Sequence, residues 1–188
     1  MERGEVINKL EPQQTTYAGL WTRTLAFAFD YGLIFLYLVT LTVVGLIVNL
    51  VFPDIRSTLF ADPLSAELTG IIVLTLPVTL YFALFESSAW QATWGKRHRG
   101  LKVTRSNGER LTRPRALARN ILKFVPWELA HACIWQISFV GGESSPLISI
   151  GFVLVWVLVG ANIVSLWISP RRQTLYDRLA GTCVVQAS

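Results

Sequence analysis

Residues 31–53 contain no charged side chain. About 20 predominantly apolar residues suffice for a helix to cross a bilayer core, so this one run already commits the chain to lipid. Directly before it stands Gly19-Leu-Trp-Thr-Arg23-Thr-Leu-Ala26-Phe-Ala-Phe-Asp30. Arg23 and Asp30 are seven residues apart and share a helix face, with Ala26 and Phe27 between them. An unpaired carboxylate in hydrocarbon is costly. Asp30 is therefore expected at the inner boundary of the hydrocarbon, in an ion pair with Arg23 that opens a membrane helix.

The rest of the composition fits that start. Hydrophobic residues make up 52% of 188, with seven Trp and ten Phe, which is outside the range of an ordinary soluble domain. Seventeen Lys and Arg against twelve Asp and Glu give a net charge of +5, which raises the question of nucleic acid. The positions of the charges answer it: among the basic residues only Arg56 lies between the first two apolar runs, and acids dominate the two short connections, Asp54, Asp62 and Glu67 in one and Glu143 in the other. This positive-inside pattern predicts a multi-pass protein of the plasma membrane (a bacterial inner membrane) with both termini and the middle loop cytoplasmic, and no nucleic-acid partner. No cleavable signal or lipidation box is visible. Cys133 and Cys183 suggest neither a disulfide nor a zinc set.

The expected fold class is an all-α membrane protein with four transmembrane helices. The organisation is a single membrane domain over 1–188, with a cytoplasmic leader over 1–19 and spans near 22–52, 68–88, 124–142 and 147–169. A basic cytoplasmic loop covers 90–123 and a cytoplasmic tail 170–188. Pro77 interrupts the second span, where a neighbour must satisfy the freed carbonyl. Glu86, at the end of that span, calls for a basic neighbour because the helix dipole disfavours an acid there. The third span carries Pro126, Glu128 and His131 and scores worst, yet crossing there brings Arg171, Arg172 and Arg178 to the inner side.

The loop 90–123 holds ten basic residues against one acid, Glu109, a strong surface for anionic headgroups. Within it Leu101-Lys-Val103-Thr alternates, Asn107-Gly108 is a favoured two-residue turn, and Glu109-Arg-Leu111 could return, so a small β-hairpin is expected on the inner face. Arg115, Arg119 and Lys123, spaced by four, predict an amphipathic stripe in contact with anionic lipid.

Residues 93–103 can be laid on residues 174–184 so that Thr, Arg, Gly and Val coincide, at Thr93, Arg97, Gly100 and Val103 in one copy and Thr174, Arg178, Gly181 and Val184 in the other. Each copy follows a pair of spans, which would make two parallel two-helix halves. Lys96 and Asp177 then occupy equivalent places with opposite charge.

Three stretches together resemble the RDD family of small, mainly bacterial membrane proteins. They are Trp21-Thr-Arg23-Thr-Leu-Ala26-Phe-Ala-Phe-Asp30, then Trp90-Gln-Ala-Thr-Trp-Gly95-Lys96-Arg97 with Gly100-Leu-Lys-Val103, then Thr174-Leu-Tyr-Asp177-Arg178-Leu-Ala-Gly181-Thr. The family's name-giving arginine and two aspartates fall on Arg23, Asp30 and Asp177, with Arg178 beside the last. Trp94 stands where the family commonly has Pro, and Tyr176 where it often has His. The resemblance implies a membrane protein whose role is mostly undefined, with some members proposed to exchange cations for protons.

Two readings of the polar residues stay open. Asp30 and Asp177, near Arg23 and Arg178, are either part of an ion pathway or an ion-pair lock joining the first helix to the tail. Glu128 and His131, at i and i+3 and deeper in the third span, are the first candidates for a proton or ion relay, with Glu86 as a further member. If no protons move, they fix helix packing. A di-metal arrangement would need carboxylates from other spans at that depth, which the expected span boundaries do not supply. No P-loop, dinucleotide fingerprint or nucleophile elbow is present, so neither an enzyme nor a cofactor is expected. The function expected is transport of small cations in exchange for protons, through a homo-oligomer. The alternative is a non-transporting accessory or scaffold protein that binds anionic lipid and a membrane partner.

Overall fold

The computed structural model describes residues 16–141 and 145–187. Most of the leader and the core of the connection near Glu143 lie outside the described residues. Helix α1 (Leu20–Val51) has 32 residues, about 48 Å at 1.5 Å per residue. Of these only Ala26 and Asp30 are buried, and the apolar remainder faces outward, as lipid requires and water does not permit.

The second long helix starts earlier than its apolar run suggests. After a short helix α2 (Ile55–Leu59), α3 (Pro63–Gly70) begins at the N-cap Asp62, whose Oδ1 accepts from the amides of Leu64 at 2.9 Å and Ser65 at 3.1 Å. Proline in the first turn loses no helical hydrogen bond. Five capped residues are thereby added before the expected start, and Glu67 moves from the connection into the helix.

A π-helical turn, Ile71–Thr75, joins α3 to α4 (Leu76–Glu86), so residues 63–86 form one continuous rod. Pro77 has no N–H for the carbonyl of Val73, four residues back. Tyr37 of α1 supplies the missing donor through its hydroxyl.

Beyond α4 come α5 (Trp94–His98), strand β1 (Leu101–Arg105), the long α6 (Arg113–Phe139), α7 (Pro146–Ile168), α8 (Leu175–Ala180) and strand β2 (Thr182–Gln186). Three helices are long and apolar enough to cross a membrane, Leu20–Val51, Pro63–Glu86 and Pro146–Ile168. α6 is long enough too, but its first half carries Arg113, Arg115, Arg119 and Lys123.

The expected hairpin is replaced by a different pairing. β1 pairs antiparallel with β2, in the register Leu101 opposite Gln186 and Val103 opposite Val184. The turn at Asn107-Gly108 does form, but the returning segment makes only a bridge from Arg110 to Thr104. The reason is the apolar content of the competitors. The segment 109–111 offers Leu111 alone, whereas β2 buries Cys183, Val184 and Val185. On its other side β2 bonds to residues 16–18, through Ala18 N to Val184 O and Gln186 N to Thr16 O. Val103 and Val184 then join Ala18, Ala26, Ala83, Leu101, Leu111 and Ala116 in a small core at the ends of α1, α4 and α6. The fold is therefore mostly helical with a small sheet rather than all-α with a local hairpin.

Each copy of the sequence repeat builds the same unit. Thr93 and Thr174 cap α5 and α8, accepting from the amides of Lys96 at 3.4 Å and Asp177 at 3.3 Å. Each helix stops at a glycine in the left-handed region, Gly100 at φ 63° and Gly181 at φ 65°, where a side chain would be strained. A strand follows. Val103 and Val184, equivalent in sequence, face each other in the ladder, so the two units are related by a local two-fold axis.

Candidate functional site

Five charged side chains from five segments form one continuous chain beneath the sheet. Arg23 of α1 donates to Asp177 of α8 at 2.5 Å. Arg119 of α6 donates to Asp177 at 2.7 Å and, with its other terminal nitrogen, to Glu86 of α4 at 2.8 Å. Lys96 of α5 closes the far end on Glu86 at 2.7 Å. Arg119 is 1% exposed and both acids are fully buried. The order Lys96–Glu86–Arg119–Asp177–Arg23 alternates in sign throughout. A planar guanidinium is what permits a single residue to serve two carboxylates at once.

The remaining lone pairs are also used. Asn120 donates to Glu86 at 2.8 Å and the Thr182 hydroxyl to Asp177 at 3.1 Å. Arg23 spends its other donors on the carbonyls of Ala18 and Arg172. Burial pushes the Asp177 carboxyl upward, but Arg119 and Arg23 outweigh it and hold the group well below the usual carboxylate range.

Several expectations change here. Arg23 does not pair with Asp30, and Arg178 is exposed and does not reach Asp177. Arg119 does not face lipid: two buried acids draw it inward. Glu86 does find the basic neighbours its position demands. Lys96 and Asp177, the equivalent positions of opposite charge, both belong to the chain.

Asp30 is buried among neutral donors. Its Oδ1 accepts from the Gly95 amide at 2.8 Å and the Tyr81 hydroxyl at 2.9 Å, and its Oδ2 from the Thr93 hydroxyl at 2.6 Å. The carboxylate thus satisfies a free N–H at the start of α5. Contact this close requires Gly95, since a Cβ there would lie 2.9 Å from the Asp30 backbone nitrogen and closer still to the Ala26 carbonyl.

A second polar cluster lies between the second long helix and α6. Glu128 accepts from the Thr75 hydroxyl, and His131 Nδ1 stands 3.8 Å from Glu128 Oε1. Glu67 stands on α3, which packs against α6, and Glu128 is a neighbouring charge to it. Its Oε2 is buried and has no donor among the described residues. The expectation that no other span brings a carboxylate to Glu128 is therefore corrected. The missed signal was Asp62-Pro63, an N-cap followed by a first-turn proline, which brings Glu67 into the helix. Among the described residues no group of three or more His, Cys, Asp and Glu is arranged to hold a metal ion.

Of the expected lipid-facing stripe, Arg115 is half-buried and Lys123 turns in among aromatic rings, 3.4 Å from the centroid of Phe82. No curated protein sequence and no solved structure is significantly similar to the chain. The family model for the RDD family matches residues 17–181, so that Arg23, Asp30 and Asp177, each bonded to several partners in the interior, all fall within it, and the chain belongs to this family of small membrane proteins.

Proposed function

We propose that this protein exchanges small cations for protons across a bacterial inner membrane, with Glu67 and Glu128 as the proton-carrying pair and His131 as the group that relays to them. The observation that carries this reading is the missing donor at Glu67. Two neighbouring carboxyls in a low-dielectric site do not both stay ionised unless something positive sits between them. A single shared proton satisfies the pair, and so does a small cation, and competition of the two for one place is the chemistry of an exchanger. Intramembrane acids without a fixed partner are the default candidates for ion pathways.

In this reading α6 crosses the membrane from Phe124 onward as the fourth span, both termini face the cytoplasm, and the chain assembles as a homo-oligomer that encloses the aqueous path. The two repeat units then join halves that run parallel across the bilayer. No catalysis and no cofactor enter. Cysteines placed at Ser57 and Asn107, in a chain lacking Cys133 and Cys183, should be labelled from opposite sides of the membrane.

The test is a pH-gradient assay on proteoliposomes with Na⁺, K⁺ and Li⁺ in turn. Wild type should dissipate the gradient with at least one cation, and Glu128→Gln and Glu67→Gln should each abolish this while melting cooperatively. Absence of flux with every cation, or full flux in both variants, rejects the proposal. The saturated bonding of Arg23, Asp30 and Asp177 favours one alternative, a non-transporting scaffold held rigid by its ion pairs, and the no-flux outcome would select it.

A further inference from the structure

We propose that the cavity between α1, α6 and α7 is a site for an anionic lipid, with the phosphate against Lys123 and the acyl chains along the apolar walls. The cavity measures about 520 Å³. Four of its lining side chains are cations, Arg23, Lys96, Arg119 and Lys123, and none is a carboxylate. Glu86 and Asp177 answer three of the four from outside the cavity. Lys123 has no carboxylate within ion-pair distance among the described residues, and the rings of Phe82, Phe124 and Phe27 surround it at 3.4, 4.9 and 5.0 Å from their centroids. Three cations on two acids already leave a positive excess; burial and the neighbouring Lys96 and Arg119 push the Lys123 ammonium well below the usual lysine range, and an anion against it favours the charged form.

The rest of the cavity selects among anions. Away from the cationic end its walls come from the middles of α6 and α7, with Trp127, Ala130, Val155 and Val159. A free phosphate gains nothing from those walls, whereas acyl chains fill them with van der Waals contacts. The order also matches a bilayer leaflet. The charged end lies near the starts of α1 and α6, beside the basic segment, and the apolar end reaches the middle of α7, an uncharged helix exposed along most of its length. A single molecule with a negative head and apolar tails fills both ends. Glu67 and Glu128 do not line the cavity, so this inference does not depend on the exchange reading.

The test is thermal unfolding of the full chain in an uncharged detergent with added phosphatidylglycerol, phosphatidylcholine or glycerol phosphate. Phosphatidylglycerol should raise the melting temperature by about 5 °C near saturation, as expected of a ligand that binds only the folded state, and the other two should raise it by less than about 1 °C. Lys123→Gln should weaken the phosphatidylglycerol response about tenfold in concentration, the loss expected for one charged contact. Val159→Trp, which fills the apolar end without altering charge, should weaken it similarly and carries the test if Lys123→Gln does not fold. Arg115→Gln, outside the cavity, should leave it unchanged. Equal stabilisation by phosphatidylcholine, a full response to glycerol phosphate alone, or an undiminished response in Lys123→Gln or Val159→Trp overturns the proposal.

Discussion

Replacing Arg119 by leucine keeps a similar apolar stem and removes the guanidinium that serves both Glu86 and Asp177. Four hydrogen bonds at 2.7–3.0 Å to those two acids disappear together. Breaking a buried ion pair by deleting one partner costs about 3–5 kcal/mol. Each acid retains a second cation, Lys96 for Glu86 and Arg23 for Asp177, which places the expected loss near the lower figure. For a chain of this length about 3 kcal/mol corresponds to a fall of about 6–12 °C in melting temperature. The assay is thermal unfolding in detergent of Arg119→Leu, Asp177→Asn and the double variant. Because the lost stability comes from stranded charge, neutralising Asp177 should restore part of it, and the double variant should lose less than the two single losses added, by about 1–3 kcal/mol. Lysine at 119 should rescue poorly, since one ammonium cannot span two carboxylates. A melting temperature for Arg119→Leu within about 2 °C of wild type, or strict additivity, would refute the claim that the five charges act as one unit.

Asp177 also sets a response to acid. Its folded value is depressed, so the stability it contributes is complete above the unfolded value of about 4 and is lost only as pH falls toward the lower folded value. The melting temperature should therefore drop below about pH 4, and Asp177→Asn, less stable at pH 7, should show a shallower drop. Tyr37→Phe should cost about 1 kcal/mol by stranding the Val73 carbonyl, measured in the same melts. In a Pro77→Ala background, where the helix supplies its own amide, that cost should vanish, and persistence of the full cost would count against the account given of Pro77. Gly95→Ala should destabilise by at least about 1–3 kcal/mol through overpacking on the Ala26 carbonyl, and an unchanged melt would show that α5 can move off α1 without loss.

The positions of the long apolar helices were legible because an uncharged run of that length has few alternatives. The basic demand of Glu86 was legible for the same local reason, an acid at a helix end. Partner choice was not. Arg23 and Asp30 share a face, yet a face says nothing of which residue from a distant segment arrives there, and Asp177 and Gly95 come from 154 and 65 positions away. The stripe of Arg115, Arg119 and Lys123 misled because periodicity identifies residues that point together without saying whether lipid or a buried carboxylate awaits them. The alternation at residues 101–104 correctly marked a strand, and the error lay in seeking its mate nearby. The repeat held the correction, since Val103 and Val184 were already aligned as equivalents.

β2 lies between β1 and residues 16–18, and Asp177 sits between Arg23 and Arg119. Both pieces are synthesised after every long helix. While the ribosome is still building α7, Arg23 has no acid, Arg119 has only Glu86, and β1 and residues 16–18 lack the strand that bonds to both. The helices can enter the membrane in that interval, and the Glu86–Arg119 and Asp30–Gly95 contacts can already form, but α1 joins the chain of charges only when Asp177 arrives. The chain of charges and the sheet are therefore completed last, by residues 175–186.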